Sequence, residues 1–467
     1  VIPNNTVPNG NDTLAPRFGF NYKLPEGLTK RFKVQIRGGL GLFRGTNPSV
    51  WVGNAYGNTG ALNSVISGSS NASSTNPPLG SPYTPFNPSP TYVQTLPAPG
   101  APTPSINVTD PNFKPPTSWK GNLALDIGLP WYGLKVTAEA NITQVEEGIN
   151  YQNINIKPLG SLAPDGRIRY SGGTGLHTNF SSSGVYELTN THNGGSQAYS
   201  AQITRPMKDN WAFSASYTHT HATDVQPLTS SVAFSNFTYR SLINPNDDIA
   251  RTSGYVISDK YVFTATREFH FAKAKNTATR LSASFRVQPG TRYSWVFSND
   301  ANGDGTSGND AFYVPSGPTD PKVVWSTSGA DPTGSIQAAA FWDFVNGTDL
   351  KKYEGRIVPP NSSNNPWQKT LDLHFEQELP LSYRDTKITL FADCLNFANL
   401  FSKRWGVVTG MDFFTGGNGG YTRKVASQTI NGSGQYVYTF SSSTLTSLIT
   451  FTDLSRWQLQ LGARVDF

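Results

Sequence analysis

The last twelve residues of the chain alternate strictly between apolar and polar side chains. One set is apolar or aromatic and the other is polar, charged or glycine: Trp457, Leu459, Leu461, Ala463, Val465 and Phe467, against Gln458, Gln460, Gly462, Arg464 and Asp466. Because successive side chains of a β-strand point to opposite faces, this segment has one apolar and one polar face. Strands of bacterial outer-membrane barrels alternate in this way between lipid and lumen. The pattern predicts a terminal membrane strand.

The same alternation recurs along the chain and predicts about eleven strands. They fall at about 16–24, 32–42, 123–129, 136–142, 196–205, 210–221, 260–271, 278–289, 367–379, 386–398 and 455–467. Short turns join these strands in pairs, whereas long connections join successive pairs, at about 44–118, 146–195, 222–259, 290–366 and 399–454. Short periplasmic turns and long extracellular loops are typical of outer-membrane barrels. We expect an all-β, transmembrane antiparallel β-barrel over residues 16–467, with residues 1–15 ending a further extracellular loop.

The alternative fold is a large soluble β-protein whose apolar faces are buried. Its turns would be spaced more evenly, every 8–12 residues or so. Charged residues make up 15% of the chain, whereas about 25% is usual for soluble domains. Tryptophans also lie near the predicted strand ends, where the interfacial belts of membrane proteins lie. We therefore expect an integral protein of the bacterial outer membrane, with membrane lipid as one partner.

Composition and motifs disfavour several classes of function. The net charge of +6 is spread along the chain, whereas a nucleic-acid-binding protein would cluster its basic residues on one face. Cys394 is the single cysteine, which excludes an intrachain disulfide and a cysteine metal site. The sequence has neither a nucleophile elbow nor a P-loop. We expect no nucleic-acid partner and no enzymatic activity.

The number of strands bears on how the barrel closes. A terminal barrel strand runs towards the periplasm, and counting back through alternating turns and loops makes the first of eleven strands run the same way. Single-chain bacterial barrels have an even number of strands. An open strand edge in lipid leaves backbone groups without hydrogen bonds. The sequence therefore predicts the second half of a barrel of about 22 strands, with the first half and a plug in an upstream portion or another chain.

One connection carries a pattern of metal-ligand residues. Asp300, Asn302 and Asp304 alternate before Gly305, and Asp310 follows five residues later. Oxygen side chains at alternate positions before a glycine are the ligands of a calcium loop. The distal glutamate of an EF-hand is missing, so Asp310 would take its place. These four residues form the predicted Ca²⁺ site; the alternative is a surface turn rich in Asp and Asn without a metal.

The charges on the predicted polar faces are mixed in sign. They are Arg17, Lys33, Arg37, Lys135, Glu139, Asp372, Glu376, Asp393, Arg464 and Asp466. A mixed polar wall suits a lumen filled by a folded plug better than a pore that selects one sign of charge. His374 lies between Asp372 and Glu376 on one of these faces, and we interpret it as part of the lumen lining.

Several segments resemble one family of membrane proteins. They are APRFGFNY (15–22), RGGLGLF (37–43), VGNAYGNTG (52–60), WAFSASY (211–217), NDANGDG (299–305) and FADCLNFAN (391–399). In this order, and with the terminal Phe467, they resemble the second barrel half of TonB-dependent outer-membrane receptors. The resemblance is greatest to the Oar-like branch, which carries a carboxypeptidase-regulatory-like domain. It implies a 22-stranded barrel with an internal plug, energised by TonB, and the plug and TonB-contacting segment would lie outside these residues.

The expected function is that of the C-terminal barrel half of a TonB-dependent transporter. Its extracellular loops would capture a ligand, and its lumen would pass that ligand once the plug is displaced. The size of the loops suggests a large ligand such as a peptide or a glycan. The alternative function is docking or adhesion, in which the barrel anchors large surface loops and transports nothing.

Overall fold

The protein is described by a computed structural model. It describes residues 12–25, 27, 31–57, 106–176, 184–271, 277–379, 387–411 and 421–466. The predicted terminal aromatic Phe467, most of the predicted loop end 1–15 and the centre of the predicted loop 44–118 lie outside the described residues.

Over the described residues, fourteen strands form one sheet, and eleven of them are antiparallel neighbours in chain order. They are β1 (Arg17–Lys23), β2 (Lys33–Arg44), β3 (Thr117–Gly128), β4 (Lys135–Asn153), β5 (Gly195–Lys208), β6 (Trp211–Asp224), β7 (Asp259–Phe269), β8 (Thr279–Gln288), β9 (Gln368–Leu379), β10 (Lys387–Leu395) and β11 (Gln458–Asp466). Each predicted segment overlaps one of these strands. The all-β prediction and the count of eleven are therefore confirmed.

Some strand boundaries differ from the prediction. β4 continues to Asn153 because its last residues pair with the strand Val185–Thr191 beyond the regular sheet. β3 starts at Thr117, inside the predicted loop 44–118. A short helix at Thr452–Ser455 occupies the predicted start of the last strand, which begins at Gln458. These extensions lack the apolar alternation of the strand centres, so a period-two pattern does not find them.

The strand register brings the apolar side chains together on one face. Phe18 lies opposite Leu40, and Ile36 lies between Tyr22 and Leu125 on neighbouring strands. This face is open, as the exposed fraction of Phe18 is 70%. A soluble β-protein would bury such a face, because a water-soluble surface seldom carries a large contiguous apolar patch. The apolar face is the surface that meets lipid.

The sheet is open at both edges in the part of the chain that the structure describes. β1 pairs with β2 alone, and β11 pairs with β10 alone. None of the described helices is long and apolar enough to cross a membrane.

All remaining elements lie in the connections at one end of the sheet. The helices are α1 (Ser49–Gly57), α2 (Ala233–Thr238), α3 (Ser335–Asn346), α4 (Ala398–Phe401) and α5 (Thr452–Ser455), with 3-10 turns at Asp349–Tyr353 and Ser442–Thr444. The short strands are Ile106–Thr109, Ile156–Leu162, Ile168–Gly175, Val185–Thr191, Arg251–Thr252, Arg292–Val296, Tyr313–Val314, Val323–Trp325, Arg356–Ile357, Ser363–Asn364, Thr409–Gly410, Thr422–Lys424, Ser427–Ile430, Tyr436–Thr439 and Ile449–Thr450. Together these elements form what we call the loop cap.

Candidate functional site

The loop cap has its own hydrophobic core. Phe297, Phe312, Phe341 and Tyr438 are buried, and they come from two connections, β8–β9 and β10–β11. The rings of Phe297 and Phe312 lie 4.8 Å apart between centroids. Aromatic pairs at such distances add to the free energy of burial. The two longest described connections are therefore packed into one folded unit at the end of the sheet.

The predicted calcium residues lie in a loop at the edge of this core, which we call the acidic loop (residues 300–310). The Asp300 carboxylate accepts hydrogen bonds from the backbone N–H groups of Gly303 and Gly305, at 2.6 and 2.8 Å. The side chain of Asn302 accepts one from the N–H of Asp304 at 2.8 Å. Gly303 has φ of +81° and lies against the carbonyl of Tyr170. Glycine suits this position because its missing Cβ permits both features.

Asp310 forms an ion pair with Arg167. Its carboxylate lies 3.2 Å from Nη1 of Arg167, and both side chains are fully buried. Arg167 is also paired with Asp165, with Nη2 and Oδ2 2.7 Å apart. It stacks on Phe297, with Cζ 5.3 Å from the ring centroid. Sequence reasoning missed Arg167, because its partner Asp310 is 143 residues away along the chain and no local pattern marks the pair.

Burial sets the electrostatics of the acidic loop. Burial raises the pKa of Asp304 to about 6, and repulsion from Asp300 adds to the shift. Burial also raises the pKa of Asp310 above its usual value, although attraction to Arg167 opposes the shift. Ionised carboxylates in such a site favour a cation nearby.

Calcium binding by these residues stays a prediction. Asp300, Asn302 and Asp304 lie together, and their oxygens are of the type that Ca²⁺ prefers. Asp310 instead faces Arg167. Among the described residues, no three His, Cys, Asp or Glu side chains form a group that could hold a metal ion. Binding would require some carboxylate oxygens to leave the backbone N–H groups that they now accept from.

A cavity of about 200 Å³ opens beside the acidic loop, between three connections of the cap. The β6–β7 connection forms one wall, with Arg240, Leu242 and Asp247. The β8–β9 connection contributes Asn361, and the β10–β11 connection contributes Tyr421. The backbone of Leu242 is bonded to the acidic loop at Asn309, with N and O 3.0 Å apart. The acidic loop therefore supports one wall of the cavity. Sequence reasoning did not find this cavity, since its wall residues come from distant segments without a shared motif.

The polar face of the sheet carries ion-pair networks. Arg37 lies 3.1 Å from Asp126 and 2.9 Å from Glu139 on adjacent strands, and Lys135 lies 3.2 Å from Asp126. A hollow of about 910 Å³ borders Asp126 and Lys135 at the end with the short turns. His374 lies 2.6 Å from Asp393 on the same face. Among the charges predicted for the polar face, Arg37 thus pairs with Glu139 across strands, and Asp126, which lies outside the predicted set, joins them to Lys135.

The apolar outer face, polar inner face and folded cap agree with what a comparison with protein families finds. The model of the outer membrane beta barrel domain matches residues 1–403. The chain belongs to the outer membrane beta barrel domain family. This barrel domain is therefore an integral protein of the outer membrane. The comparison with curated proteins gives no match.

Membership explains the side-chain arrangement of the barrel domain. The face with Phe18 and Leu461 is exposed because it meets lipid, whose tails are as apolar as these side chains. The opposite face carries the ion pairs because it borders water. The long connections all leave the sheet at one end, where a barrel of this type places its extracellular loops.

Proposed function

We propose that this barrel domain is the C-terminal half of a TonB-dependent outer-membrane transporter, whose loop cap captures a ligand for energised import. The observation that carries the proposal is the folded cap with a cavity at one end of a sheet whose inner face is polar. A cavity over a lumen supplies a capture site and a route. Passive porins, in contrast, leave a water-filled channel through the barrel.

The open edges of the sheet support the half-barrel part of the proposal. Among the described residues, β1 and β11 each pair with a single neighbouring strand, so that each has one unpaired edge. An unpaired edge within lipid costs several kcal/mol for each backbone group without a partner. Eleven further strands would pair both edges and make the total even. A plug inside such a barrel would face the ion pairs of the polar face, such as Arg37 with Glu139.

The composition of the native barrel tests the half-barrel proposal. We would purify the protein from outer membranes in mild detergent and isolate the band that migrates faster without boiling. Peptide mass spectrometry should find this chain together with a segment that contains a plug and a TonB-contacting sequence. A fast-migrating band with this chain alone would refute it.

A pair of arginine substitutions tests which face meets lipid. Leu461→Arg places a charge on the apolar face near the middle of β11, and we expect it to destabilise the barrel by about 2–4 kcal/mol. Gln460→Arg, its neighbour on the polar face beside Asp393, is the matched control and should fold normally. Barrel assembly is measured by the gel shift between boiled and unboiled samples. Equal effects of the two substitutions would contradict the assignment of the faces.

Docking or adhesion is the second candidate function, and the extent of the folded cap favours it. A cap with its own aromatic core can present a stable surface to a partner without transporting anything. Ligand accumulation in cells with and without TonB separates the two functions. Accumulation that stops without TonB supports transport, whereas binding that is unaffected and never followed by accumulation supports docking.

A further inference from the structure

The cavity of the loop cap is lined by two acidic and two basic side chains, and two of these four form an ion pair with each other. Arg251 lies 3.5 Å from the carboxylate of Asp247. The other two charged residues, Arg240 and Asp224, also line the cavity. In the described part of the chain, neither forms an ion pair within 4.0 Å. The cavity wall therefore presents one cation and one anion that attract each other across the cavity but have no opposite charge in ion-pair contact.

The hydrogen bonds of Arg240 leave part of its binding capacity unused. Nη1 donates to the carbonyl of Val225 at 2.9 Å, and Nη2 donates to the carbonyl of Pro245 at 2.6 Å. Nε is buried and has no hydrogen-bond partner in the structure. A guanidinium has five N–H donors in a planar fork that matches a carboxylate. The carbonyls fix the orientation of this guanidinium and leave donors for a second group.

The surroundings of Arg240 make it a strong anchor for an anion. Its Cζ lies 5.6 Å from the centroid of the Phe237 ring, which holds the guanidinium plane. Burial lowers the pKa of Arg240 to about 10, so the side chain remains a cation at neutral pH. A partly desolvated cation with no counter-ion in contact gains more from an incoming carboxylate than a fully solvated one does.

Apolar side chains at the same cavity indicate the rest of the ligand. Tyr255 and Ile249 line it with exposed fractions of 63% and 53%. Tyr239 lies on the same wall as Arg240. Exposed aromatic and aliphatic side chains beside a few fixed polar groups are usual in small-molecule sites. A neutral sugar would leave the charges of Arg240 and Asp224 without partners.

We propose that this cavity binds a zwitterionic ligand of the size of an amino acid or a short peptide. Its carboxylate would pair with Arg240, its ammonium group with Asp224, and its apolar side chain would contact Tyr255 and Ile249. This inference names the ligand class for the capture step and so rests on the proposed function, but binding itself is measurable without transport.

The test uses one dipeptide and two blocked analogues. The probes are Ala-Phe, its C-terminal amide and its N-acetyl form, titrated calorimetrically into the protein purified from outer membranes in detergent. We expect Ala-Phe to bind and each blocked form to bind about 10-fold to 100-fold more weakly, because each loses one charge-assisted contact. No heat at millimolar Ala-Phe, or equal affinity for all three probes, would overturn the inference.

Two variants assign the contacts to residues. Arg240→Gln should weaken the binding of Ala-Phe about 10-fold or more. It should leave the affinity for the C-terminal amide almost unchanged, since the amide has no carboxylate to pair with Arg240. Asp224→Asn should weaken the binding of Ala-Phe to a similar extent and leave the affinity for the N-acetyl form almost unchanged. Arg356→Gln, which removes an exposed arginine outside the cavity, is the control. If a cavity variant does not assemble, the three probes on the unaltered protein still decide.

The outcomes separate this inference from the proposed function. Binding of Ala-Phe without TonB-dependent accumulation would refute transport and leave the ligand class intact. Accumulation of the blocked peptides as fast as Ala-Phe would refute the ligand class and leave transport intact.

Discussion

Replacing Arg167 with methionine should unfold part of the loop cap while leaving the barrel strands in place. Arg167 is fully buried, and its guanidinium lies within 3.2 Å of the carboxylates of both Asp165 and Asp310. Its Nη2 also donates to the carbonyl of Ala311. Methionine fills much of the same volume but offers no charge. The variant would leave two buried carboxylates without a cation in the core of the cap.

The expected loss follows from this geometry. Removing one partner of a buried ion pair costs about 3–5 kcal/mol, because an uncompensated charge stays in a medium of low dielectric constant. Arg167 opposes the effect of burial on Asp310, so without it the pKa of Asp310 in the folded variant should rise further above its usual value. The folded variant then favours protonated Asp310. The loss of unfolding free energy should therefore be smallest near pH ~4 and grow as the pH rises through this raised pKa.

Hydrogen exchange measured by mass spectrometry provides the assay. Peptides from the cap strands Arg292–Val296 and Tyr313–Val314 report the free energy of local opening, whereas peptides from the barrel strands are an internal reference. Arg356→Met is the matched control, because Arg356 is exposed and surface changes seldom exceed about 0.5 kcal/mol. A loss below about 1 kcal/mol for Arg167→Met, or one that does not change with pH, would refute the reasoning.

Two further predictions concern the acidic loop and the barrel wall. Because burial raises the pKa of Asp304 to about 6, the stability of the acidic loop should fall as the pH rises from about 4 to 6, by at most ~3 kcal/mol. Asp304→Asn should abolish this fall in stability, as measured by hydrogen exchange. It should also abolish the predicted Ca²⁺ binding, as measured by calorimetry. A variant that keeps both properties would contradict the prediction. Gly462→Val should impair barrel assembly by about 1–3 kcal/mol, because a Cβ at this position would overlap the ring of Phe391. Gly432→Val, where the space is open, is the control, and equal gel shifts for both variants would count against the packing argument.

The eleven strands and their two faces could be predicted from the sequence. Alternation along a strand is a local property, since each residue faces lipid or lumen according to its place in a period of two. Leu461 and Arg464 can be assigned to opposite faces without knowledge of any neighbouring strand. The register then pairs Leu461 with Ala392, and Arg464 with Thr389, as that assignment requires.

The loop cap and its sites were decided by the tertiary structure alone. Arg167 meets Asp310, and Arg240 shares a cavity with Asp224, through folded connections that have no regular period. The acidic loop was visible as a motif, but the pairing of Asp310 with an arginine was not. The physical reason is that a membrane strand takes its pattern from the solvent on each side, which is the same all along the barrel. A buried charge in a cap takes its role from one particular partner, which only the folded chain brings within reach.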